Sequence, residues 1–325
     1  MISVTQKDAE KALEEYRKES EMPTKLGGKI GSNLGPVLIA LIILLILLPI
    51  KLIYKFLILI GFILFIFLIP LVIIFIYYSA KIKHTYHGKN KLRYTLSALR
   101  NRKFFELFKN EICSDNLLNA CDRVIASETL ENYRISIMSV KCSMLSLRRR
   151  FTEAHEVLDE MRTVKADDAV RQNEIASAEL LLSASEDRKE DFLNLLDKYE
   201  PWIEQIKNRD INGLISAALL VNTRDTFLGN YSEALESARI IRFLRDNQKQ
   251  MSKDNQIKIP TTNYDVFQTA SLSLAMAECF LGMGDIDSAR SELDAADLEI
   301  SALTCDIPDS YVYNHEKLIA GIGKE

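Results

Sequence analysis

The clearest candidate for specific chemistry is a row of four serines in the stretch RISIMSVKCSMLSLRRR. They lie at offsets of zero, three, seven and ten residues, so a helix would place their hydroxyl groups on one face. The four residues are Ser136, Ser139, Ser143 and Ser146. Such a stripe could hydrogen-bond the backbone of an extended peptide. The alternative is that these serines permit close helix packing or face water, and small polar residues on helices do so more often.

Motifs that would assemble an active site are absent: the sequence has no HExxH, no GxSxG and no glycine-rich phosphate loop. His84 and His87 have the spacing to share a metal, but no Cys, Asp or Glu lies between Lys81 and Leu99. The five cysteines form no CxxC pair and are typical of small packing residues in a reducing compartment. We therefore expect no enzyme activity, no catalytic or metal-binding residue and no cofactor.

The chain that precedes the serines contains a long apolar run that two lysines interrupt. Residues 34–50 and 56–78 would form helices of about 26 Å and about 35 Å, against a hydrocarbon core of about 30 Å. A single continuous helix through both would be about twice as long as the hydrocarbon core is thick. We predict a transmembrane hairpin over residues 34–79, with Lys51 and Lys55 reaching lipid headgroups at its tip.

A single crossing by residues 56–78 is the alternative, with residues 34–50 interfacial or re-entrant, or with the termini on opposite sides. The orientation follows from charge, since residues 80–110 are a basic collar and residues 111–325 hold the acidic excess of a chain with net charge −4. Basic flanks stay cytoplasmic and attract anionic lipid. We predict that both termini are cytoplasmic. The acidic body also argues against a nucleic-acid partner.

Residues 1–33 form a charged segment ahead of the apolar run. Within it, KDAEKALEEYRKES is typical of a helix with a narrow apolar stripe. The stripe consists of Ala9, Ala12, Leu13 and Tyr16. An interaction helix is one interpretation, but so narrow a stripe favours a solvated, partly frayed helix.

Beyond the collar, three stretches share a turn, a bulky residue and an alanine three positions later: RRRFTEAHEVLDEM, LGNYSEALESARII and MGDIDSARSELDAA. The alanines are Ala154, Ala234 and Ala289. A repeated helix pair cannot bury its apolar face alone, so neighbouring pairs must stack to complete a core.

This pattern resembles tetratricopeptide repeats (TPR), in which antiparallel helix pairs stack into a superhelix with a concave groove. The last copy follows the family spacing through Met276, Ala277, Phe280, Gly284, Ala289, Leu293 and Ala296. In the copy around Gly229, Asn222 and Asp225 replace a small and an aromatic residue. Further degenerate units could lie near Ala120 and in residues 167–199, and no copy ends with the usual proline.

The resemblance covers about two thirds of residues 110–305. It implies an all-α protein in which a TPR-like α-solenoid over residues 111–325 follows the transmembrane hairpin. It also implies that the four serines lie on the groove-facing side of a first helix.

Together these features predict a membrane-anchored scaffold or adaptor that binds a protein or peptide at the cytoplasmic membrane face and contacts lipid through its hairpin and collar. The alternative makes the hairpin the active part, as an oligomerising membrane element or transport subunit that the helical domain regulates. The predicted spans contain no acidic residue or polar stripe, which weighs against a pore.

Overall fold

In a computed structural model of the chain, the described residues are 2–18, 97, 101–254 and 261–323. The chain divides into two compact units, one of Met1–Glu14 with Arg93–Glu325 and the other of Glu15–Leu92. The regular elements within the described ranges are all helices. This confirms the all-α prediction for that part of the chain.

The predicted spans, residues 34–50 and 56–78, lie outside the described residues, together with the tip lysines Lys51 and Lys55 and most of the basic collar. Among the helices that the structure does describe, none is both long and apolar enough to cross a bilayer.

The first helix, α1, covers residues 6–18. The other described helices, in chain order, are α2 (Arg102–Asn110), α3 (Asp115–Ser127), α4 (Glu131–Leu147), α5 (Phe151–Thr163), α6 (Asp168–Ser185), α7 (Lys189–Lys207), α8 (Ile211–Leu228), α9 (Tyr231–Asp254), α10 (Asn263–Gly282), α11 (Ile286–Ile300) and α12 (Asp309–Ile322).

Four consecutive helix pairs, from α4 with α5 to α10 with α11, are joined by turns of the same backbone conformation. One residue in each turn has a positive φ, namely Arg149 (54°), Asp187 (57°), Gly229 (78°) and Gly284 (77°). The next residue donates its N–H to the carbonyl five positions earlier: Arg150 to Leu145, Arg188 to Ser183, Asn230 to Asp225 and Asp285 to Phe280. This bond is typical of the Schellman motif that ends a helix. The four matching turns are compatible with a helical-repeat solenoid, and one of them, at Asp187, lies within residues 167–199.

Small side chains let the helices of a pair approach closely. Ala154, Ala234 and Ala289 each lie five residues after the positive-φ residue and have no exposed surface. Phe192 takes the same position in the α6–α7 pair and is also fully buried. The other packing residues predicted in the last pair are the buried Met276, Ala277, Leu293 and Ala296, the half-buried Phe280, and Gly284 in the turn.

Helices α2 and α12 lie outside the four pairs α4–α11, which we call the repeat array, and contact its two ends. Helix α10 packs against α2, and α12 packs against α4. Asn263 donates a side-chain hydrogen bond to the carbonyl of Asn110, and the Arg149 guanidinium lies 3.7 Å from the ring centroid of Tyr313. In a regular solenoid each repeat contacts only its neighbours, whereas here α2 also contacts the last pair and α12 the first.

Candidate peptide-binding groove

The site begins with residues 2–5, a stretch without regular secondary structure that we call the docked segment. It ends where Thr5 starts α1. The Thr5 N–H donates to Asp8 Oδ2 at 2.9 Å, and the Asp8 N–H donates back to Thr5 Oγ1 at 3.3 Å. This reciprocal arrangement is a capping box, which satisfies free donors at a helix start. The boundary between the docked segment and α1 is therefore sharply defined.

The docked segment is buried at alternate residues. Ile2 and Val4 are 6% and 8% exposed, whereas Ser3 and Thr5 face solvent. This is the period of an extended chain with one face against a surface. Burying each branched apolar side chain contributes roughly 1.5–3 kcal/mol in favour of docking, less the ordering cost of the segment.

Helix α1 continues the buried surface with its apolar stripe. Ala9 and Leu13 are 0% and 7% exposed, and Ala12 and Tyr16 are half-buried. The expectation of a solvated helix is wrong for Ala9 and Leu13, because both are buried within the compact unit that residues 1–14 form with residues 93–325.

Two cations hold the main chain of the docked segment. Arg224 donates from Nη1 to the carbonyl of Ile2 at 2.6 Å, and Lys207 donates from Nζ to the carbonyl of Ser3 at 3.0 Å. Hydrogen bonds from charged donors are stronger than neutral ones. Because they go to backbone carbonyls, they recognise an extended chain whatever its side chains.

Arg224 is itself fixed by its neighbour Asp225. Its Nε and Nη2 donate to the two carboxylate oxygens at 2.8 and 3.0 Å, and the Asp225 side chain is only 5% exposed. A bidentate pair leaves the guanidinium one orientation, which aims Nη1 at the docked segment.

A cavity of about 230 Å³ lies beside Ile2 where α7 meets α8. We call it, with the surface beneath the docked segment, the α7–α8 groove. Its apolar lining is Leu193, Leu196 and Ile203 from α7 and Leu220, Val221 and Leu228 from α8. Asp197, Glu200 and Arg224 complete the wall. These helices belong to adjacent helix pairs, so the groove lies between two neighbouring pairs of the repeat array.

The two departures from the repeat pattern support this groove and its helix. Asn222 is buried and donates from Nδ2 to the carbonyl of Ala234 at 2.7 Å, which ties α8 to α9. Asp225 orients Arg224. The sequence signals that point to this site are the two polar residues in α8 and the apolar alternation of Ile2 and Val4. Neither suggests that the two regions meet.

The predicted serine face lies elsewhere, where α4 packs against α6. Ser139 and Ser146 are buried, and Ser136 and Ser143 are half-buried. Ser136 donates to Glu174 Oε1 at 2.8 Å. The hydroxyls of Ser136, Ser143 and Ser146 also donate to carbonyls four residues earlier in their own helix. None of the four lines the cavity beside Ile2.

Two carboxyls on α6 have opposite electrostatic environments. Burial raises the pKa of Glu174, although hydrogen bonds from Ser136 and Ser139 act to lower it. Burial also acts to raise the pKa of Glu179, but hydrogen bonds from Tyr199, Arg162 and Lys198 outweigh it and hold that pKa below its usual value. The Tyr199 and Arg162 bonds are both 2.6 Å long. Glu179 thus ties α5, α6 and α7 together.

The cysteines are free thiols, and all but the half-buried Cys305 are buried. Burial raises the pKa of Cys113 and Cys279 to about 11 and that of Cys121 and Cys142 to about 12. These four are protonated at neutral pH and pack as small apolar residues. Within the described ranges, no group of three or more His, Cys, Asp or Glu side chains is placed to hold a metal ion.

Comparison with known proteins returns no match to a protein-family model, to a curated protein or to a solved structure. Membership of the tetratricopeptide family therefore stays a prediction.

Proposed function

We propose that this protein is a membrane-anchored, TPR-like scaffold or adaptor whose repeat array binds an extended protein segment at the cytoplasmic membrane face. The observation that carries the proposal is the docked segment. The array already holds a polypeptide through two backbone carbonyls and two apolar side chains. When an extended peptide adds to a sheet edge, the main chain supplies affinity and alternate side chains supply specificity. The docked segment divides its contacts in the same way, with the side chains of Arg224 and Lys207 in place of a sheet edge.

The proposed anchor is the hairpin of residues 34–50 and 56–78, with Lys51 and Lys55 at its outer tip. Residues 2–14 belong to the same compact unit as the described residues after 101. A chain that leaves this unit, enters a bilayer and returns to the same unit crosses the bilayer an even number of times. This supports two spans with both termini on one side over a single span.

The mechanism that we propose is recruitment. A tethered array raises the local concentration of its bound partner at the membrane, without chemistry of its own. The basic collar would hold the array close to anionic lipid headgroups.

The adaptor function is tested by quantitative capture of cross-linked partners from membranes with the full chain. Leu228→Glu places a charge in the groove, and Leu219→Glu is its matched control. Both leucines lie on α8 with about 40% exposure, but only Leu228 lines the cavity. We expect a partner whose recovery falls about tenfold with Leu228→Glu alone. Equal recovery from both variants contradicts the proposal.

Topology is tested separately by labelling single cysteines from each side of the membrane. We expect cysteines placed at the exposed positions Ser3 and Ser301 to react from the same side, and Lys51→Cys from the opposite side. Labelling of positions 3 and 301 from opposite sides would rule out the hairpin.

A further inference from the structure

We propose that the docked segment is an intramolecular ligand occupying the site that a partner uses. The partner is then an extended peptide of the same chemistry, two branched apolar residues separated by one solvent-facing residue. This inference rests on the proposed adaptor function. It adds to that function the class of ligand and a built-in competitor.

The first step is that the contacts to the docked segment are transferable. Arg224 and Lys207 bind carbonyls that every extended peptide carries. The buried side chains, Ile2 and Val4, are an ordinary pair of apolar anchors at alternate positions. Within the described part of the chain, no groove residue hydrogen-bonds the side chain of Ser3 or Thr5, so the groove does not select the residue types at these exposed positions. Another peptide with apolar residues at these two positions makes the same set of bonds.

The second step is that the groove has unfilled apolar volume at the first anchor. The cavity of about 230 Å³ is lined by Ile2 together with α7 and α8. A larger apolar side chain at the first position buries more apolar surface than isoleucine does, and so binds more tightly. The groove is therefore not matched uniquely to the docked segment. A partner with a larger residue such as phenylalanine at that position competes with it.

The third step is that the competition is intramolecular. The docked segment is covalently joined to the array through residues 15–92, so its local concentration is set by the chain and not by solution. A free peptide can bind only those molecules whose groove is open. Its apparent association constant is therefore the intrinsic constant multiplied by the fraction of open molecules. Partner binding then releases the docked segment at the point where the chain leads into the proposed anchor.

The test uses the full chain in detergent and a labelled peptide, ISVTQKDAE, which is residues 2–10 of this sequence. The chain variant Ile2→Asp/Val4→Asp removes both anchors of the docked segment and leaves every groove residue in place. We expect the peptide to bind this variant at least about tenfold more tightly than the wild-type chain. Adding Leu228→Glu to the variant should abolish binding, and adding Leu219→Glu should not. A peptide with aspartate at both anchor positions should bind neither chain.

Equal affinity of the peptide for the wild-type chain and for Ile2→Asp/Val4→Asp would overturn the proposal. A second measurement needs no substitution, and it decides the matter even where the variant does not fold. Hydrogen exchange in residues 2–13 of the wild-type chain should speed up in proportion to groove occupancy as unlabelled peptide is added. Peptide binding with unchanged protection of those residues would place the peptide at another site and overturn the proposal.

The adaptor function and this inference fail in distinguishable ways. Loss of Leu228-dependent partner capture, with peptide binding intact, removes the adaptor function and keeps the intramolecular ligand. Intact Leu228-dependent capture, with no gain of peptide affinity on opening the groove, removes the intramolecular ligand and keeps the adaptor.

Discussion

The serine face of α4 and the α7–α8 groove are two surfaces of one repeat array, yet only the groove holds a polypeptide segment. On α4, the hydroxyls of Ser136, Ser143 and Ser146 donate to carbonyls of their own helix. Ser136 and Ser139 also hydrogen-bond Glu174 on α6. In the groove, Arg224 is held by Asp225 and keeps a donor for the incoming chain. The difference teaches that the docked segment is held by apolar depth beside a preoriented cation. A row of hydroxyls alone forms hydrogen bonds within the packed helices and leaves few donors for a peptide.

The largest expected effect tests the preoriented cation. Asp225→Ala leaves the Arg224 guanidinium, 14% exposed, without its carboxylate. Removing one member of a buried ion pair costs about 3 kcal/mol, because the other charge stays buried and unpaired. We expect a loss of about that size in urea unfolding, with faster hydrogen exchange in residues 2–13.

The matched control lies on the same helix. Asn222→Ala removes the hydrogen bond to the Ala234 carbonyl and should cost about 1 kcal/mol. It should leave exchange in residues 2–13 unchanged. If both substitutions deprotect those residues equally, Arg224 has no special role in holding the docked segment.

The next effect tests the apolar depth of the groove. Val4→Ala removes two methyl groups from a side chain that is 8% exposed. We expect docking to weaken by about 1–2 kcal/mol, which is roughly a five- to thirtyfold rise in hydrogen exchange confined to residues 2–13. Ser3→Ala, at an exposed position, should leave exchange as it is. Similar effects from both substitutions would show that backbone contacts alone hold the segment.

A smaller effect belongs to the serine face and depends on pH. Because the pKa of Glu174 is raised in the folded state, the folded chain binds more protons than the unfolded chain as pH rises past the usual glutamate range. The stabilising contribution of this group is therefore complete at low pH and is lost as pH rises through the folded pKa.

Glu174→Gln removes this penalty while keeping the hydrogen bond from Ser136. We expect the variant to melt a few degrees above the wild type at pH 8, with a difference that shrinks toward pH 4. Glu179→Gln is the contrasting control, since the folded pKa of Glu179 is lowered and its contribution is lost as pH falls. Parallel melting curves for Glu174→Gln and wild type across this range would contradict the assignment.

The smallest expected effect separates the two surfaces directly. The Ser143 hydroxyl donates to the Ser139 carbonyl within α4. Ser143→Ala should change the free energy of unfolding by no more than about 0.5 kcal/mol and leave affinity for the peptide ISVTQKDAE unchanged. A marked loss of peptide affinity would instead restore the serine face as a binding surface.

Much of the architecture could be predicted from local patterns. The alanines at 154, 234 and 289 and the turns at Gly229 and Gly284 mark helix pairs because small residues and positive φ are local requirements. The α6–α7 pair is less visible, since Asp187 takes the positive φ and Phe192 the alanine position. A residue other than glycine can adopt that conformation at modest cost, so its sequence signal is weak.

By itself, the sequence determined the helical class, the repeated pair and the apolar stripe of α1, because each depends on spacing along one or two helices. Only the tertiary structure decided that Ile2 reaches Arg224, more than two hundred residues away, and that α12 returns to α4. Such contacts leave no periodic trace, because each partner needs only to be apolar or charged in its own element. Two separately ambiguous features, the Ile2 and Val4 alternation and the polar residues of α8, became one site when the fold brought them together.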